Sequence, residues 1–138
     1  MRINGILASM AMNSDHHRSK HSAVIVYKND IISLACNRTK SHPFQKRYSK
    51  ANEAIFLHAE VAAIHNALKR ISLKELSKAT MYVCRVRINN DNKHYFSYSK
   101  PCDGCMRAIA EFDIKKVFYT DEEGNFVKLY KIEGQNIW

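Results

Sequence analysis

The residues best suited to chemistry lie in two short segments, HAE at 58–60 and PCDGC at 101–105. His58, Cys102 and Cys105 offer one imidazole and two thiols, which are ligands that zinc prefers. Two cysteines three apart at a helix start present both sulfurs to one point, and the helix N-terminus favours the thiolate that a metal requires. Three protein ligands leave a fourth position for water, as in catalytic zinc sites. Glu60 follows His58 closely enough to carry protons to and from that water.

Two other interpretations of these segments are weaker. A closed structural zinc site needs a fourth protein ligand, for which His65, Cys84 or His94 would be the candidates. His65 lies about 10 Å along the same predicted helix from His58, too far to share its metal. Cys84 stands in an apolar run typical of a core strand. A redox dithiol would leave His58 and Glu60 without a role, so the sequence favours a catalytic zinc site.

The elements that must position these residues follow from hydrophobic periodicity. Polar residues at 38–52 and 89–100 predict two loops, and 121–125 predicts a turn. The remaining segments predict, in chain order, a helix at 4–13, a hairpin of strands 22–27 and 31–35, a helix at 54–70, a strand at 80–88, a helix at 102–112, and strands at 115–120 and 126–132. This order predicts one α/β domain over residues 1–138. The last two strands should be antiparallel, since the turn is too short for a helical crossover.

Composition limits the class of protein. The chain has 138 residues, of which 46% are hydrophobic and 25% charged, as in a globular domain. No stretch approaches the roughly 20 apolar residues of a membrane span. The first fifteen residues have a short, broken apolar stretch, so we expect no export signal and a cytoplasmic protein without a membrane partner.

The net charge of +9 is concentrated in the first part of the chain. Residues 1–50 contain nine Lys/Arg and two Asp/Glu, which gives +7 and leaves +2 for residues 51–138. Such an excess favours binding of phosphate, on a nucleotide or on a nucleic acid, although a solvated lysine-rich loop would look the same. Four histidines near this region are either surface residues or substrate contacts: His16, His17, His21 and His42.

Together, His58-Ala59-Glu60 and Pro101-Cys102-Asp103-Gly104-Cys105 form the pattern H-x-E…P-C-x-x-C. The chain thereby resembles the zinc-dependent cytidine and deoxycytidylate deaminases and the related tRNA adenosine deaminases. In overall style it is similar to small deaminases of phage and viral genomes. The resemblance implies a cytidine deaminase-like three-layer α/β/α sandwich with a mixed five-stranded sheet, Zn²⁺ as cofactor, hydrolytic release of ammonia from a nucleobase, and a homo-oligomer.

The resemblance also implies substrate contacts. The backbone N–H of Ala59 would contact the base, and Asn37, which ends the second strand, would hydrogen-bond the substrate. A long insertion follows Asn37, as in deoxycytidylate deaminases, and its cations Arg38, Lys46 and Arg47 would hold a 5′-phosphate. A free nucleotide, with dCMP first, is therefore the expected substrate.

Other substrates stay open because the chain combines features of several branches. Its expected antiparallel ending is typical of cytidine deaminases proper, yet those have cysteine in place of His58. An adenine nucleoside or nucleotide is one alternative. The other is tRNA or single-stranded DNA, on which aromatic side chains would stack: Phe44, Tyr48, Tyr95, Phe96 and Tyr98.

Overall fold

The computed structural model describes residues 3–16, 19–48 and 56–129. Six strands form one mixed sheet: β1 (Lys20–Tyr27), β2 (Asp30–Cys36), β3 (Thr80–Ile88), β4 (His94–Ser97), β5 (Lys116–Thr120) and β6 (Phe126–Lys128). The strand order is β2-β1-β3-β5-β6, and only the β3–β5 pairing is parallel. β4 and β5 lie along the same edge of β3. β5 pairs with the first residues of β3, and β4 pairs antiparallel with its last residues.

Helices cover both faces of the sheet: α1 (Ile3–Ala11), α2 (Pro43–Lys46), α3 (Ala59–Ala67), α4 (Leu73–Ser77) and α5 (Asp103–Glu111). Alternate residues of the central strands face the two layers, as the two-residue repeat of a strand requires. On one face, Val24 and Val86 pack with Leu7 of α1. On the other face, Ile25 and Val83 belong to the larger core that includes α3 and α5. The three-layer α/β/α arrangement predicted from the sequence is confirmed.

The sheet differs from the prediction by one strand. The segment 89–100 contains β4, which was predicted as loop. His94 and Tyr95 are exposed in this strand, so it lacks the apolar alternation that identifies a half-buried strand. Two short helices were also absent from the prediction, α2 within the segment 38–52 and α4 after α3. In the described part of the chain, six strands therefore replace the expected five.

The ending of the sheet follows the prediction. β5 and β6 pair antiparallel, with Thr120 opposite Phe126, across the turn at 121–125. Gly124 takes a φ of +84° in this turn, a conformation in which glycine has no steric penalty. The expected strand 126–132 is observed as Phe126–Lys128, and residues 130–132 lie outside the described part of the chain. Within the described ranges, the helices are all too short or too polar to traverse a bilayer.

Candidate metal centre and substrate cavity

Two helix N-termini carry the metal-ligand candidates. His58 is the N-cap residue of α3 and Cys102 the N-cap residue of α5, both in extended backbone conformation. Glu60 and Cys105 lie in the first turns of these helices. Because α3 and α5 pack against the same face of the sheet, the predicted ligands converge although they lie far apart in sequence.

The ligand atoms have the spacing of a zinc site. Nδ1 of His58 lies 3.5 Å from Sγ of Cys102 and 3.3 Å from Sγ of Cys105. A tetrahedral zinc, with bonds of about 2.1 Å to nitrogen and 2.3 Å to sulfur, would place such atoms about 3.6 Å apart. Within the described residues, no further His, Cys, Asp or Glu joins this cluster. The donor set therefore fits Zn²⁺ with an open fourth position, and Zn²⁺ is the cofactor of this site.

The Cys102 and Cys105 thiols interact, so their pKa values shift in opposite directions. The hydrogen bond from Cys105 and the nearby His58 lower the pKa of Cys102 to about 3. The same hydrogen bond, together with burial, raises the pKa of Cys105. Cys102 is thus a thiolate at neutral pH, and metal binding would displace the proton of Cys105.

A residue of α2 holds the first ligand in place. Oε1 of Gln45 accepts a hydrogen bond of 3.0 Å from the backbone N–H of His58. Gln45 is completely buried, so this bond is shielded from water. The end of α2 is in turn attached to α5, because Arg107 donates through Nε and Nη2 to the carbonyl of Tyr48. Gln45 and Tyr48 thereby connect this part of the chain to both ligand-bearing helices.

Glu60 combines burial with access to the cavity. Its side chain is 5% exposed and lies among the cavity-lining residues. Burial, the largest influence, raises the pKa of this carboxyl. A carboxylate with a raised pKa is a stronger base and is therefore better suited to accept a proton.

One cavity of about 370 Å³ adjoins the metal site. This volume is near the lower end of the range usual for small-molecule sites. Its lining consists of His16, Ser19, His21, Asn37, Phe56, His58, Ala59, Glu60, Lys100 and Cys102. Ala59 and Glu60 form its buried part, while Phe56, Lys100 and Cys102 are exposed to solvent.

Asn37 and Ala59, two of the predicted substrate contacts, lie in this cavity. The Asn37 amide also joins backbone groups. Its Oδ1 accepts from the N–H of His21 at 3.0 Å, and its Nδ2 donates to the carbonyl of Ser19 at 2.7 Å. These bonds hold the start of β1 against the end of β2. They leave one lone pair of Oδ1 and one amide hydrogen for a substrate.

The other three predicted contacts are not brought into the cavity. Arg38 and Leu57 exchange backbone hydrogen bonds of 2.9 and 3.0 Å, and the Arg38 side chain donates to the carbonyl of Asn13. Arg47 forms an exposed ion pair of 3.4 Å with Glu111. Lys46 is exposed at the end of α2 and does not line the cavity.

Several lining residues received no definite role from the sequence. His16 and His21 were left as surface residues or substrate contacts, Lys100 was given no role, and His17 lies outside the described residues. Ser19 carried no signal because it stands in a segment without periodicity. Phe56 was assigned only to the predicted helix 54–70, whereas the observed α3 begins at Ala59. Gln45 was equally unpredictable, since its role depends on where α2 packs.

The structure is an α/β/α domain in which a His/Cys/Cys cluster and a buried glutamate line one small cavity. This is the arrangement of the zinc-dependent nucleobase deaminases, and it defines the class of protein. Residues 3–121 match the family described as the cytidine and deoxycytidylate deaminase zinc-binding region. The chain belongs to this family.

Solved structures share the fold at low sequence identity. The dCMP deaminase of cyanophage S-TIM5 in apo form is 20% identical, with a TM-score of 0.58 over 86% of this chain and 79% of its own. The same phage enzyme in complex with dCMP and dUMP gives 18% identity and a TM-score of 0.51 over 87% and 81%. The cytidine deaminase of Burkholderia pseudomallei is 14% identical, with a TM-score of 0.61 over 91% and 87%. No curated protein matches the chain.

Proposed function

We propose that the protein hydrolyses the exocyclic amine of a free cytosine nucleotide, converting dCMP and water to dUMP and ammonia. The observation that carries the proposal is the single cavity in which the His58/Cys102/Cys105 cluster and Glu60 meet. The description of the family names cytidine and deoxycytidylate deaminases, which supports cytosine as the base.

Glu60 performs the proton transfers in this reaction. Bound zinc would supply an acidified water at neutral pH. Glu60 accepts a proton from the attacking water and delivers it to the ring nitrogen, which makes the adjacent carbon electrophilic. It then carries a second proton to the departing amine. The buried position of Glu60 suits the first step, because its raised pKa makes the carboxylate a stronger base toward the attacking water.

The remaining lining residues orient the base. The backbone N–H of Ala59 and the free amide hydrogen of Asn37 are positioned at the cavity to meet polar groups of the substrate. Phe56 and His16, whose rings meet edge to face with centroids 5.4 Å apart, form an aromatic wall. A small cavity with few polar groups suits a mononucleotide better than a polymer.

A nucleic-acid substrate is the second candidate. Tyr95 and Tyr98 are 47% and 46% exposed, and exposed aromatic rings can stack on unpaired bases. Phe44 and Tyr48 are unsuited to that role because they pack against Phe112. An adenine nucleoside or nucleotide is the remaining alternative.

The test is ammonia release from zinc-loaded protein with dCMP, deoxycytidine, dAMP, adenosine, single-stranded DNA and tRNA. We expect dCMP to give the highest kcat/KM. Glu60→Gln should keep its zinc and fold but lose at least a hundredfold in turnover, because the amide cannot shuttle protons. Activity on the polymers with none on mononucleotides would replace the proposal by the nucleic-acid candidate. A Glu60→Gln variant with a tenth of wild-type turnover would refute the role given to Glu60.

A further inference from the structure

The cavity has an uneven distribution of charge. Among the described residues that line it, Lys100 provides the only ammonium or guanidinium group. Glu60 provides the only carboxylate, and it lies at the buried end. Lys100 is exposed and therefore stands where the cavity opens to solvent. A ligand whose reacting end reaches Glu60 extends from there toward the exposed lining residues Phe56, Lys100 and Cys102, among which Lys100 is the cation.

The backbone around Lys100 is firmly held. The preceding Ser99 is buried, and its Oγ donates to the carbonyl of Val83 at 3.0 Å. The backbone N–H of Ser99 donates to the carbonyl of Thr120 at 2.9 Å. The following residue, Pro101, is buried as well. The Cα of Lys100 is thus fixed to the centre of the sheet, while its long side chain is free to follow a ligand.

Lys100 also has no competing acidic partner in the described part of the chain. The ion pairs found there involve Arg47 with Glu111 and Lys115 with Asp113. Its charge is therefore available to a ligand. The cations that the sequence favoured, Lys46 and Arg47, do not line the cavity.

We propose that Lys100 binds the 5′-phosphate of the substrate and makes the site select a nucleoside monophosphate over the nucleoside. The proposal rests on the proposed function, because the deaminated ring must lie beside Glu60. Cytosine then occupies the buried end, the sugar passes the wall formed by Phe56 and His16, and the phosphate emerges at Lys100. A hydrogen bond between charged groups strengthens binding by about tenfold to a hundredfold.

The experiment compares Lys100→Met with Lys46→Met, the same chemical change at an exposed residue outside the cavity. Both variants are first checked for zinc content, because Lys100 lies close to Cys102 in the sequence. For Lys100→Met we expect KM for dCMP to rise tenfold to a hundredfold, with KM for deoxycytidine within twofold and kcat maintained on both. Lys100→Arg should restore much of the preference. Lys46→Met should match the wild type.

A binding measurement makes the test independent of turnover. Calorimetric titration of the Glu60→Gln protein with dUMP and deoxyuridine should show preference for dUMP. That preference should weaken with rising salt and disappear when Lys100→Met is added. If Lys100→Met weakens the binding of dUMP and of deoxyuridine to the same degree, Lys100 only supports the structure of the site and does not bind the phosphate. An unchanged preference for dUMP in the Lys100→Met protein would overturn the proposal. Loss of that preference in Lys46→Met would indicate that the phosphate binds at α2 instead.

The two proposals fail separately. If the wild type releases no ammonia from dCMP, the proposed function is wrong. If it does so while Lys100→Met keeps the preference for dCMP over deoxycytidine, only the role of Lys100 is wrong. If dUMP and deoxyuridine bind the Glu60→Gln protein equally, the phosphate is not recognised and Lys100 has no such role.

Discussion

Replacing Gln45 by methionine should weaken zinc binding although Gln45 touches no metal. The side chains are similar in size, so the buried volume is nearly kept. The change removes the oxygen that accepts the backbone N–H of His58 at 3.0 Å. Since Gln45 is completely buried, water does not replace that oxygen. The unpaired N–H costs about 1–3 kcal/mol.

That energy divides between two observables. If all of it falls on the zinc-bound state, the dissociation constant for zinc rises about fivefold to 150-fold. Any part that also affects the metal-free fold lowers its free energy of unfolding. We expect at least a tenfold weaker affinity, because the lost bond lies on the backbone of the ligand itself.

The assay is competition for zinc with a chromogenic chelator, combined with urea unfolding of the metal-free protein. Gln45→Glu keeps an acceptor oxygen and should bind zinc more tightly than Gln45→Met. Lys46→Met, on the exposed side of the same short helix, is the matched control and should equal the wild type. The reasoning is refuted if Gln45→Met changes neither the zinc affinity by more than twofold nor the unfolding free energy.

Three further predictions concern the metal, a close contact and pH. Removing zinc with a chelator should abolish deamination, and added zinc should restore it; activity that persists in metal-free protein would contradict the site. Gly104→Ala should destabilise the fold by about 1–3 kcal/mol in urea unfolding, because a Cβ there would lie 2.9 Å from the carbonyl oxygen of Tyr48. An unchanged unfolding midpoint would show that the Tyr48 backbone moves away at no cost. Burial, with Arg85 and His58 nearby, lowers the pKa of His21 to about 4 in the folded protein. The stability that neutral His21 contributes is therefore complete above pH about 6.5, and at most about 3 kcal/mol of it is lost as the pH falls toward 4. His21→Asn should reduce this pH dependence, and equal slopes in both proteins would refute it.

The metal site was predictable because its information is local. His58 and Cys102 each stand at the start of a helix, so the short patterns around them predict both the ligand type and its orientation. The long hydrophobic runs of β1 and β3 likewise predicted the centre of the sheet. Local patterns do not show that the two motifs meet in space, and that part of the prediction depended on the family resemblance.

The surroundings of the cavity were less predictable because they depend on distant packing. Phe44 and Tyr48 pack against Phe112 of the neighbouring α5 segment. This contact turns the side of α2 that bears Lys46 toward solvent, and Gln45 toward His58. No periodicity in a four-residue helix reveals which side faces inward. The sequence therefore could not show that Arg38, Lys46 and Arg47, the predicted phosphate contacts, lie outside the lining of the cavity.

The backbone pairing between Arg38 and Leu57 also bears on how such a protein changes over generations. Tyr48, bound through its carbonyl to Arg107, and Leu57, paired with Arg38, are two anchored points before and after residues 49–55 of the sequence. The entropy of closing a loop rises by only about 0.6 kcal/mol when its length doubles. Insertions, deletions or exchanged residues within 49–55 would therefore leave His58 and Glu60 in place. Selection is thus free to vary these residues while the metal site is inherited unchanged.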